Sequence, residues 1–202
     1  MSVTGFWIIG AASSSSIEQL RAALPIQPAE REDLSWWQVM DEAALAEPRE
    51  RGFGQYCATD TVHRFADGLE IRRPDLDQDA CMEVLGAMTD EDRFVASIRK
   101  GDPVAALYYG LGFEASYALP GRSGCFLLTA AEVVATAPTV HAALIMDAPR
   151  RAQVLDRVRA WLAVAGDAGS GFDVEALIDG PQRVLQRALE QGQGALGIVC
   201  WY

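Results

Sequence analysis

The sequence predicts an α+β fold in which several helices pack on a small mixed sheet that includes both the N- and C-terminal strands. Three observations carry that expectation. Continuous apolar runs stand at both ends of the 202 residues, at 3–9 and 195–202, and each has the length and the β-branched or aromatic content of a buried strand. Within residues 124–144 an apolar run turns into a helix, because Thr129 and Glu132 have capping-box spacing and Leu128 and Val133 flank them as a hydrophobic staple would. Beyond that point apolar residues recur at helical spacing almost to the last strand. End strands that pair in one sheet would make residues 1–202 a single domain.

In chain order, residues 3–9 form a strand that stops at Gly10. Ser16 and Gln19 fit another capping box, and Ile17, Leu20, Ala23 and Leu24 give a short amphipathic helix that Pro25 ends. The serines at 13–16 read as cap and loop, since a phosphate cradle would bring glycines. Residues 25–28 are a connector. Leu34, Trp37, Ala44 and Leu45 mark a second helix ending before Pro48. The adjacent Trp36 and Trp37 point about 100° apart on it, so that one is an exposed interface residue or both are buried between layers. Residues 49–60 are rich in glycine and charge and read as a loop, with Gly52-Phe53-Gly54 too sparse for a nucleotide-binding fingerprint. Leu69-Glu70-Ile71 reads as a short edge strand.

Asp75-Leu76-Asp77-Gln78-Asp79 begins like a calcium loop, but Ala80 stands where glycine is needed and Gly86 where a bidentate glutamate is needed. The acids instead complement the dipole of a helix whose inward residues are Ala80, Val84, Ala87 and Met88. Thr89 to Asp92 opens a turn or helix carrying Phe94, Val95 and Ile98, closed by Gly101-Asp102-Pro103. Residues 104–111 are another apolar run, strand or buried helix, which periodicity does not separate. Residues 119–124 form a turn-rich loop into the capping box, and Pro138 is expected to kink or split the helix that follows. Asp147 caps a helix with Val154, Leu155, Val158, Trp161 and Leu162 inward and with Arg150, Arg151, Arg157 and Arg159 mostly outward. Residues 166–171 connect to a last helical region at 173–190, restarted at Pro181, with Val184, Leu185 and Leu189 facing the core.

The formal net charge of -11 argues against a nucleic-acid surface, which needs clustered Lys and Arg. It suits a basic protein partner, a cationic ligand, or solubility alone. The start lacks a basic n-region and no apolar run reaches membrane-spanning length, so a cytoplasmic protein with no membrane partner and reduced thiols is expected. Cys57, Cys81, Cys125 and Cys200 form no close pair, and none has a neighbour that would activate it. His63 and His141 are too far apart in sequence for the usual two-histidine metal spacing, and no Gly-x-Ser-x-Gly elbow exists. No metal or cofactor is therefore expected, and no catalytic residue stands out.

The order of these motifs resembles the small bacterial family of unknown function typified by YfbM. That family opens with a Met-x-x-x-Gly strand and a Ser-capped helix, similar to residues 1–24 here. It continues with an acidic Leu-Asp-x-Asp helix start (Leu76-Asp77-Gln78-Asp79) and an apolar run from Pro103 to Gly110. A Leu-Thr-x-x-Glu-Val helix (Leu128-Thr129-Ala130-Ala131-Glu132-Val133) follows, then a helix, a glycine and a final strand over residues 184–202. Where the family tends to show a Trp-His pair, this chain has Cys81-Met82. The resemblance implies an α+β fold and no established activity.

Two functional expectations result. The first is a non-enzymatic binding protein, immunity-like or antitoxin-like, that meets a basic partner through an acidic face near Trp36 or Trp37. The second is a small enzyme or small-molecule-binding domain with a pocket among His63, Tyr108, Tyr109 and Trp161, in which His63 lies within reach of a carboxylate.

Overall fold

The computed structural model describes residues 4–24, 53–71, 73–165 and 172–202. The strands β1 (Thr4–Ala12), β2 (Arg93–Arg99), β3 (Phe126–Leu128) and β4 (Gly194–Trp201) form one sheet in the order β2-β1-β4-β3. The fold is α+β, and the terminal strands are the central pair, with Trp7 opposite Val199 and Ile8 opposite Ile198. All three pairings are antiparallel, where the sequence suggested a mixed sheet. The helices are α1 (Ser14–Ala22), α2 (Phe53–Glu70), α3 (Gln78–Gly86), α4 (Pro103–Leu111), α5 (Phe113–Tyr117), α6 (Gly121–Gly124), α7 (Ala130–Leu144), α8 (Ala148–Ala165) and α9 (Ala176–Gln191). No helix among the described residues is long and apolar enough to cross a membrane.

The sheet is buried on both faces along β1 and β4, which is why those strands read as continuous apolar runs. Trp7, Ile9, Ala11, Phe94, Ile98 and Val199 enter a large core with α2 and the helices from α4 to α9. Ile8, Ala12, Leu127, Leu196, Ile198 and Cys200 face the other way, into a smaller core closed by Ile17 and Leu20 of α1 and Cys81 and Leu85 of α3. On the large-core side α4 is buried along its whole length. At Gly110 a Cβ would lie 2.5 Å from the Val158 side chain and 3.0 Å from the Val154 carbonyl, so a glycine is what lets α4 lie against α8.

Several elements match the sequence reading. Asp77 caps α3, accepting from the Ala80 amide at 3.0 Å, with Asp79 in the first turn. The capping box of α7 is complete: Glu132 N–H donates to Thr129 Oγ1 at 3.3 Å and Thr129 N–H donates to Glu132 Oε2 at 2.8 Å. Asp147 accepts from the Arg150 amide at 2.9 Å, and the five inward residues expected on α8 are all buried. The run after Pro103 resolves as a helix because Asp102 caps it and Pro103 occupies its first turn.

Other elements correct it. Residues 53–60 belong to α2, not to a loop, and Leu69 and Glu70 end that helix instead of forming a strand. Val62, Phe65 and Leu69 are buried at helical spacing, a pattern the glycines at 52 and 54 obscured. Residues 93–99 are a strand: Phe94, Ala96 and Ile98 point inward and alternate with exposed neighbours. The inward face of α3 is Cys81 and Leu85, one residue round from the set expected, with Ala87 exposed. β1 continues to Ala12 because Gly10, Ala11 and Ala12 keep their pairing with β4. α1 starts at Ser14, its cap being Ser13, which accepts from the Ser16 amide at 3.2 Å. Residues 121–124 form one helical turn. Neither proline splits its helix: α7 runs through the exposed Pro138 and α9 through Pro181. At Pro138 the lost backbone bond lies where water can satisfy the carbonyl. The expected helix over residues 34–45, the connector at 25–28 and that at 166–171 lie outside the described residues.

Candidate functional site

A surface opening lies over the smaller core, which among the described residues is covered by α1 and α3. Each helix is anchored by a side-chain cap, Ser13 or Asp77, and by apolar residues pressed onto β1, β3 and β4. Gly10 permits this approach from below: a Cβ there would lie 2.4 Å from Met88 Sδ and 2.6 Å from Leu85 Cδ2. The remaining gap between the helices is a cleft of about 350 Å³ lined by Ser16, Gln19 and Leu20 of α1, Ala80, Glu83 and Val84 of α3, and Ala87 just beyond it. That volume is at the lower end of ligand-sized pockets. Leu20, Ala80, Val84 and Ala87 give it an apolar floor, while Ser16, Gln19 and Glu83 bring polar atoms to its rim.

Along the chain through α3 the charge is one-signed. From Pro74 to Thr89 the chain carries Asp75, Asp77, Asp79 and Glu83 and no Lys or Arg. Asp79 and Glu83 are one helical turn apart, exposed, and form no ion pair among the described residues; the same holds for Glu18 on α1. Like charges at this spacing repel each other. Two described cations nearby are engaged elsewhere. Arg21 of α1 is drawn to Glu132 of α7 at 2.8 Å, and Arg93 donates to the Leu85 carbonyl at 3.1 Å and to Asp90 at 3.0 Å.

A second polar cluster is buried. Asp102 is fully enclosed: its Oδ1 accepts from the amides of Val104 and Ala105 at 2.8 and 3.2 Å, and its Oδ2 is paired with the Arg73 guanidinium. Tyr108 and Cys125 lie in the electrostatic reach of this pair. Burial is the main reason the Tyr108 phenol is pushed above its ordinary range and the Cys125 thiol up to about 11. Both are therefore protonated at neutral pH and offer no nucleophile. What the cluster does is mechanical: it ties the loop entering α3 to the N-terminus of α4. The Asp-Pro sequence at 102–103 carried that signal, because Asp followed by Pro is a cap with its first-turn residue.

A third feature, a groove between α7 and α9, includes His141, Thr136, Gln182 and Gln186. It holds about 30 Å³, room for a water or two.

The residues singled out from sequence fall in different environments. Trp36 and Trp37 lie outside the described residues. His63 is exposed on α2 and makes no hydrogen bond or ion pair among the described residues. Tyr108, Tyr109 and Trp161 are brought together in the large core, at 1, 4 and 1 % exposure. Tyr109 packs under the Arg157 guanidinium, 4.9 Å from its ring centre, and its carbonyl accepts from Arg157 Nε and Nη2 at 3.1 and 2.8 Å. Glu83, Gln19 and the cleft they border were not anticipated. The available signal was an acidic i,i+4 pair on a helix with no cation of its own. Neither protein-family models nor curated proteins nor solved structures match the chain.

Proposed function

We propose that this chain is a non-enzymatic interaction protein that docks a basic partner on its α1–α3 face. The observation that supports this most is the cleft bordered by Glu83, on a helix whose Asp79 and Glu83 form no ion pair among the described residues. Several acids elsewhere on the surface are matched. Arg151 holds Asp179 and Glu175 at 2.7 and 3.0 Å, and Arg187 engages Asp92 and Glu91. Charge left unmatched on one face steers a partner of opposite sign and orients it. The concrete form of this reading is immunity-like or antitoxin-like masking of a basic protein. The same reading keeps the YfbM-type kinship as a proposal resting on motif order.

The test is a pull-down from host lysate at low and high salt, with wild type and the Asp79→Asn/Glu83→Gln double variant. A basic protein retained by wild type at low salt, released at high salt and lost from the variant supports docking on this face. Equal retention by both proteins, or no specific retention, contradicts it.

A further inference from the structure

Resting on the docking reading above, we propose that the group seated in the α1–α3 cleft is one arginine side chain of the partner. The cleft has two kinds of wall, and arginine has two matching parts. Its aliphatic stem can lie along Leu20, Ala80, Val84 and Ala87, as long cationic side chains do on apolar surface. Its guanidinium then meets the Glu83 carboxylate and the side-chain oxygens of Gln19 and Ser16 on the facing helix.

These acceptors are separated, one on α3 and two on α1. A planar group with several N–H donors spans them better than the compact ammonium of lysine. An apolar occupant would leave Glu83 facing Asp79 with nothing to relieve their repulsion, and an anion would add to it. The volume of about 350 Å³ admits a single long side chain and its water, whereas the α7–α9 groove at about 30 Å³ admits no such side chain.

The experiment is a titration of the isotopically labelled full chain, followed by amide NMR, with blocked Gly-X-Gly peptides. X is arginine, lysine, norleucine or citrulline, the last having the shape of arginine without its charge. The arginine peptide is expected to shift residues 16–20 and 80–87 saturably. Lysine should bind several-fold more weakly, and citrulline and norleucine about tenfold more weakly. Glu83→Gln should weaken the arginine peptide about fivefold, the order expected of an exposed ion pair, and leave citrulline unchanged. Ala87→Phe, which fills the mouth without touching a charge, should abolish the shifts while the rest of the spectrum stays native.

Citrulline binding as tightly as arginine, or indifference to Glu83→Gln, overturns the arginine seat. So does the absence of saturable shifts up to about 10 mM peptide, an affinity too weak to matter for recognition. Shifts confined to another face, alongside a basic protein captured through Asp79 and Glu83, would overturn the seat and leave the docking reading standing. No captured protein and no peptide shift would remove both.

Discussion

The two faces of the sheet are built by different rules. On one, Trp7, Phe94, Ile98 and Val199 lie under several layers of helix, and the largest buried side chains, Trp161, Tyr108 and Phe65, are all there. Several of its surface acids are tied to arginines: Arg151 chelates Glu175 and Asp179 at 3.0 and 2.7 Å, and Arg187 engages Asp92 and Glu91. On the other, among the described residues, two nine-residue helices close the core, Met82, Val84 and Met88 remain half-exposed, and Asp79 and Glu83 form no ion pair. The first face is arranged for stability. The second gives up apolar cover and charge balance, and a surface of that kind is where binding is expected.

The contrast can be broken most severely from the thick side. Trp161→Ala should cost about 3–5 kcal/mol in urea unfolding, because it opens a void among residues that have no room to collapse. Asp102→Ala should cost nearly as much, about 3 kcal/mol, since it strands the Arg73 charge and removes the cap of α4 together. On the thin side Leu85→Ala should cost about 2–3 kcal/mol, less than a deep-core truncation because α3 can settle onto the sheet. Thr129→Ala should cost about 1 kcal/mol as a lost cap. Glu83→Gln should be neutral or slightly stabilising, by about 0.3 kcal/mol, as it relieves the repulsion with Asp79. A mutation that improves the fold while weakening binding is the signature that separates the faces.

Acid sharpens the same comparison. Burial works against the charged form of Glu132, but the Thr129 amide, the Arg21 guanidinium and the Thr129 hydroxyl together hold its carboxyl below the ordinary 4.5. A carboxyl lowered in the folded state stabilises above its ordinary value and loses that contribution as pH falls through the folded one. The wild type should therefore lose stability below about pH 4.5, and Glu132→Gln should flatten that part of the curve. Burial also raises the thiols of Cys81 and Cys125 to about 11 and that of Cys200 in the same direction. Alkylation of these three, followed by peptide mass spectrometry, should appear only with unfolding.

Much of the fold was legible because local chemistry and tertiary need agree there. The terminal strands, the Thr129–Glu132 box and the Asp147-capped helix each show a strong local signal that packing then uses. The misreadings come where punctuation and periodicity conflict. The glycines at 52 and 54 hid a helix whose core residues include Val62, Phe65 and Leu69, and Thr89 to Asp92 suggested a helical start before what is an alternating strand. Trp161 was legible as core from its helical spacing, whereas Tyr108 and Tyr109 were legible only as apolar. Tyr108 and Trp161 sit in the centre because α4 and α8 cross at Gly110, a contact between residues far apart in sequence. The cleft was invisible for the same reason, being the gap between helices that only the sheet brings side by side.

The most direct test of the account is isothermal titration of a short poly-arginine peptide into three proteins of matched fold. They are wild type, Asp79→Asn/Glu83→Gln on the thin face, and Asp156→Asn/Glu190→Gln, which removes the same charge from exposed positions on α8 and α9. The account predicts about a tenfold loss of affinity for the α3 variant and little change for the other. Equal losses in both variants would mean that net charge alone attracts the peptide, and that the α1–α3 face holds no site.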